Sequence, residues 1–108
     1  MTGNNIPNFV DKHTKRGVNY ITVNFNIKEV EYGYEWDSVE IQGTRWEYGG
    51  IIDALVTYKY PNDKMQSVIN NYLLEPENTE YIKDFQDMQL WRIEAKEIAK
   101  QALKYELH

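Results

Sequence analysis

At 108 residues, with 42% apolar and 14% aromatic side chains, the chain has the size of one domain and enough large apolar surface to build a core, which excludes wholesale disorder and leaves no room for separate catalytic and regulatory domains. The formal net charge of -5 and a pI near 5.0 argue against a nucleic-acid partner, because that affinity rests on clustered Lys and Arg that displace counterions from phosphates. With no cysteine, the chain can form neither disulfides nor thiolate metal sites and has no cysteine nucleophile, and a cytoplasmic setting fits.

Residues Met1 to Arg16 contain Gly3, several Asn and Pro7 without apolar periodicity. They read as a flexible arm (1–16), anchored by Phe9 and Val10, ahead of a single α+β domain over 17–108. The basic cluster Lys12, His13, Lys15 and Arg16 reads as solvated. From Val18 the pattern alternates: Ile21, Val23, Phe25 and Ile27 fall on one face, and Thr22, Asn24, Asn26 and Lys28 on the other. After a connection around Gly33, a second alternating run carries Val39 and Ile41 and ends at Gly43. The two runs predict an antiparallel hairpin from about Val18 to Gln42. An isolated hairpin is marginal in water, so its apolar face requires cover from helices or from another copy of the sheet.

Residues 49–60 fit both periods: Ile51, Ile52, Leu55 and Tyr58 suit a helix, while Ile52, Ala54, Val56, Tyr58 and Tyr60 suit a strand. Helix is the favoured reading, near 50–60. Pro61 ends that segment and opens the next, where Met65, Val68, Ile69, Tyr72 and Leu73 mark one face of a helix over 62–74, closed by Pro76. A last helix is predicted over 78–106, its stripe formed by Tyr81, Phe85, Met88, Trp91, Ala95, Ile98, Ala102 and Tyr105. Acidic residues come first (Glu77, Glu80, Asp84, Asp87) and lysines last (Lys96, Lys100, Lys104), the order that complements a helix dipole. The most apolar run, Ile51 to Val56, falls far short of the ~20 residues of a membrane span, and the N-terminus lacks a signal-peptide apolar region, so no membrane partner is expected.

Chemical motifs are absent: no P-loop, no dinucleotide fingerprint, no nucleophile elbow, no zinc or calcium pattern. His13 and His108 have no ligand spacing to one another or to carboxylates. No catalytic residue, metal, cofactor or small-molecule substrate is therefore expected. Asp53, set among Ile51, Ile52, Ala54 and Leu55, reads as the polar side of an amphipathic helix. Tyr32, Tyr34, Trp36, Trp46 and Tyr48 crowd into seventeen residues beside several carboxylates. If exposed they mark an interface, and if buried they belong to the core. A helix of about 27 residues runs ~40 Å, longer than the ~26 Å diameter of a compact chain of this length. Its far end needs cover, and Ile98, Ala102 and Tyr105, with Leu90 and Ile93 as a second strip, are the candidate contacts of a homo-oligomer.

The stretch Trp46-x-Tyr48-Gly49-Gly50-Ile51-Ile52-x-Ala54-Leu55-Val56, then Lys59-Tyr60-Pro61-x-Asp63-Lys64-Met65-Gln66 and Ile69-x-Asn71-Tyr72-Leu73, with Trp91-Arg92-x-x-Ala95-Lys96 further on, resembles small phage- and prophage-encoded proteins of gut bacteria. The resemblance covers roughly residues 34–103. It implies a phage structural or assembly setting, near the tail, with a cytoplasmic or virion-associated location, and it transfers no catalytic residues. The expectation is a protein-interaction or structural module that forms homo-oligomers. Two alternatives remain open: an acidic regulator that mimics nucleic-acid charge, motivated by the acidic excess between Glu29 and Asp53, and a small enzyme built on buried carboxylates.

Overall fold

The computed structural model describes residues 1–43 and 46–107, with side chains through residue 104. Four strands, β1 (Thr2–Gly3), β2 (Val10–Lys15), β3 (Val18–Val30) and β4 (Gly33–Gln42), precede three helices, α1 (Tyr48–Lys59), α2 (Asn62–Leu74) and α3 (Thr79–Leu107). The strands form one antiparallel sheet in the order β1-β4-β3-β2, and the fold is α+β with a long last helix, as the periodicities predict. The ambiguous 49–60 segment is helical. Chain breakers set the helix ends: Tyr60 N–H closes α1 on the Val56 carbonyl just before Pro61, and Asn78 Oδ1 accepts from the Glu80 and Tyr81 amides at the start of α3.

The arm expected over 1–16 is instead built into the sheet. Arg16 and Gly17, both at positive φ (51° and 79°), make the two-residue turn whose twist suits a hairpin, and β2 pairs with β3 from Val10↔Val23 to Lys15↔Val18. Met1 is held by a reciprocal pair of bonds with Trp36, its ammonium to the carbonyl at 2.7 Å and its carbonyl from the amide at 3.0 Å. A Cβ on Gly33 (φ 142°) would collide with the Gly3 carbonyl oxygen, so this corner accepts only glycine.

One face of the sheet carries Val10, Ile21, Val23, Phe25, Val39 and Ile41, which form a single core with Ile51, Leu55 and Val56 of α1 and Trp91, Ala95, Ile98, Ala99 and Ala102 of α3. Ile27 does not join it. An extra residue in β3 between Phe25 and Lys28, with Asn26 in the left-handed region (φ 53°), shifts the register and leaves Ile27 38% exposed. Asp37 secures the bulge to the helical layer: its carboxylate accepts from Asn26 Nδ2 at 3.0 Å and from the Tyr58 hydroxyl at 3.1 Å.

The radius of gyration is 16.2 Å, above the ~13 Å of a compact chain of this length, and the extents are 47 × 37 × 26 Å. The 29-residue α3, about 43 Å long at 1.5 Å per residue, accounts for most of the longest extent, and α2 packs on α3 with no buried side chain. Met65, Val68, Ile69 and Tyr72 are half-buried, while Leu73 is exposed. Tyr72 stacks on Phe85 with centroids 4.5 Å apart.

Replacing Trp91 by Ala removes a 4%-exposed indole that donates to the Leu55 carbonyl at 3.0 Å and lies under Lys59 Nζ. The expected cost is about 3–5 kcal/mol, read as a fall of more than ~10 °C in Tm; an unchanged Tm would place the ring outside the core. For Gly33→Ala, hydrogen exchange should show the Trp36 amide losing protection while Val23 stays protected. Equal protection of Trp36 in both proteins would contradict the steric argument.

Candidate functional site

The aromatic residues singled out by composition do not form one patch. Tyr32 is 82% exposed at the β3–β4 turn. Tyr34 shares a hollow of about 340 Å³ with Gly3, Val30 and Tyr32. Trp36 is half-buried, and its indole covers Gly3, where a Cβ would lie 2.9 Å from Cη2. Trp46, by contrast, is half-buried against the core, with its indole nitrogen buried and without a partner among the described residues. Tyr48 opens α1 at 37% exposure. Core and surface thus divide this cluster between them.

The expected oligomer contacts on α3 divide as well. Leu90 (63% exposed) and Ile93 (59% exposed) face outward. Ile98 and Ala102 are corrected to core positions, at 9% and 0% exposure, because α1 and the sheet cover the C-terminal half of α3 within the same chain. The side chain of Tyr105, like His108, lies outside the described residues.

On the sheet face away from the helices, recruitment of β2 creates a polar cluster that periodicity did not reveal. Lys15 Nζ and His13 Nε2 both approach Glu40 Oε2, at 2.8 and 3.1 Å, so β2 is tied to β4 across β3. Thr22 Oγ1 lies 3.4 Å from His13 Nδ1, and the His13 ring stacks on Tyr20 with centroids 5.9 Å apart. A proton on His13 Nε2 suits the Glu40 carboxylate and leaves Nδ1 to accept from Thr22. Asn24, the one buried polar side chain among the described residues, is satisfied by the Asn8 carbonyl, Asp11 and Ser38. Hence no described carboxylate is buried, and the inward-facing pair required by the enzyme alternative is not found among them. The carboxylates between Glu29 and Asp53 are not gathered in one strip either. Glu35 and Asp37 lie on one face of β4 and Glu40 on the other.

Between the helices, a groove of about 300 Å³ brings together residues from all three. Ile52 and Val56 of α1 and Met65 of α2 form its apolar floor, Arg92 and Lys96 of α3 stand on one rim, and Gly49 and Asp53 complete the lining. Neither Arg92 nor Lys96 has a carboxylate partner among the described residues. Asp53 is exposed but not free, because it has an interaction of its own. The spacing of four residues in both Ile52/Val56 and Arg92/Lys96 was visible in the sequence, but their convergence depends on how α1 and α2 lie along α3.

No protein-family model matches the chain, and neither does any curated protein or solved structure. Among the described residues there is no cluster of three His, Asp or Glu able to hold a metal ion, and no helix is long and apolar enough to cross a membrane.

The hydrogen bond from Lys15, reinforced by His13, holds the Glu40 carboxyl below the ordinary carboxylate value against the opposing effect of desolvation. A depressed folded pKa means that Glu40 stabilises the fold above its unfolded pKa and that this contribution disappears as pH falls through the folded value. Wild type and Glu40→Gln should therefore differ more in urea midpoint near neutral pH than in acid, and converge once the pH falls below the lowered carboxyl value. A difference that stays constant with pH would show that the clamp is not electrostatic.

Proposed function

We propose that the protein is a non-catalytic protein-binding module that self-associates through the outer face of α3. The observation that carries this reading is the position of Leu90 and Ile93, exposed near the middle of α3 and turned away from the face that Met88, Trp91 and Ala95 bury. Residues three apart lie side by side on a helix and form the centre of a small apolar contact. A two-fold antiparallel pairing about this point sets the Leu90 and Ile93 pair of each helix against that of the other, the self-matching that an isologous contact needs. A phage virion or assembly role follows from the residue resemblance alone and is kept as the setting of this module.

Sedimentation equilibrium over roughly 10–100 µM tests the reading. The wild type should sediment above 12.9 kDa, and Leu90→Glu combined with Ile93→Glu should return it to that mass with its Tm preserved, because both positions are exposed. A wild type at 12.9 kDa throughout that range would overturn self-association.

A further inference from the structure

The groove between the three helices has a composition unlike the rest of this acidic chain. Its floor is aliphatic: Val56 is only 8% exposed, and Ile52 and Met65 are half-buried. Its rim carries two cations one helical turn apart on α3. Lys15, Lys83 and Lys100 are neutralised by Glu40, Asp87 and Glu97. Arg92 and Lys96 remain unpaired among the described residues, next to a concave apolar surface.

We infer that this groove docks an acidic, apolar-tipped segment of a partner protein, with an aliphatic or aromatic side chain on Ile52, Val56 and Met65 and neighbouring carboxylates on Arg92 and Lys96. The inference rests on the reading of the chain as a protein-binding module and names the chemistry of one partner. Charge selects the occupant. Arg92 offers a planar fork that meets a carboxylate through two parallel hydrogen bonds, and Lys96 adds a point charge one turn away. The floor favours a peptide over a bare polyanion, because a phosphate backbone has nothing to place on three aliphatic side chains.

Gly49 gives the test a steric handle. A Cβ added there meets no atom within 4 Å, and its φ is not positive, so a larger side chain at the first turn of α1 fits the fold on the lining of the groove. Arg92 and Lys96 are exposed and unpaired, so their replacement also leaves the core intact.

The probe is a fluorescein-labelled peptide, Asp-Glu-Leu-Phe-Asp-Glu, titrated by anisotropy and followed by amide chemical shifts in the full chain. Three further probes are used: the same peptide with Lys in place of each acid, the same with Ser in place of Leu and Phe, and a single-stranded oligonucleotide. The acidic peptide should shift the amides of Gly49, Ile52, Arg92 and Lys96 and bind about tenfold or more weakly to Arg92→Glu with Lys96→Glu and to Gly49→Leu. All variants should keep the wild-type Tm. The lysine and serine peptides should bind more weakly than the parent. Absence of shifts at the groove overturns the proposal, as does parity between wild type and Gly49→Leu, or between the acidic and lysine peptides. An oligonucleotide that binds the same residues as tightly as the acidic peptide, with the serine peptide undiminished, overturns it in favour of a general polyanion surface. A monomeric wild type in sedimentation removes the self-association contact on the far side of α3 and leaves the groove standing, so the two failures are distinguishable.

Discussion

The indole of Trp91 joins all three layers that the chain must bring together. Its nitrogen donates to the Leu55 carbonyl on α1, its ring centroid lies 5.8 Å from that of Phe25 on β3, and Lys59 Nζ sits 4.0 Å from its centroid on the solvent side. A large apolar ring alone would specify burial without direction. The added hydrogen bond fixes its rotation, because a buried indole N–H left unpaired is costly, and so sets the position of α1 along α3. Small residues continue the seam: Ala95, Ala99 and Ala102 are all fully buried. Their lack of bulk allows the C-terminal half of α3 to lie close to the sheet and α1. This half of the helix is therefore core, and its stripe is complete within one chain.

That closure moves the association surface. The sequence shows an apolar stripe longer than a compact domain can cover, and the inference of an uncovered C-terminal half assumes that compact shape. The chain instead elongates. α1 and α3 meet over the sheet, while α2 packs on α3 without burying any side chain. The apolar surfaces assigned to partners are the outward pair Leu90 and Ile93 and the groove floor, which lie on different sides of α3. Neither surface includes Ile98 or Ala102.

What was legible in the sequence follows from the strength of each physical signal. Three helices bounded by Pro61, Pro76 and Asn78 were readable because breakers and apolar spacing agree, and β3 and β4 because Val23, Phe25, Val39 and Ile41 alternate. β2 was not, since on an edge strand only Val10 enters the core, while Asp11, Lys12, His13, Thr14 and Lys15 look like a solvated run. Charged edge strands are a common protection against unwanted pairing, and the same charges erase the period-two pattern. The Arg16-Gly17 turn was the available signal. Ile27 was misassigned because periodicity assumes an unbroken ladder, whereas the left-handed Asn26 inserts a residue. For the candidate site, Leu90 and Ile93 were visible as an off-stripe pair, but Arg92 and Lys96 acquire meaning only from the tertiary placement of α1 and α2.

Charge order along α3 links these surfaces to folding. Acidic residues near the helix start and lysines near its end favour the helix through its dipole, an effect confined to the terminal turns and weak for exposed groups. Arg92 and Lys96 lie well inside the helix, where the dipole contribution is small, and no described carboxylate pairs with them. Helix stability therefore does not account for two unpaired cations at this point. Lys83 shows the alternative that the sequence uses elsewhere: an aspartate one turn on, at 2.8 Å, neutralises it. The equivalent position one turn after Arg92 is Lys96, so the arrangement concentrates positive charge beside the aliphatic floor. Two cations one turn apart repel weakly in water, a cost that an acidic occupant removes.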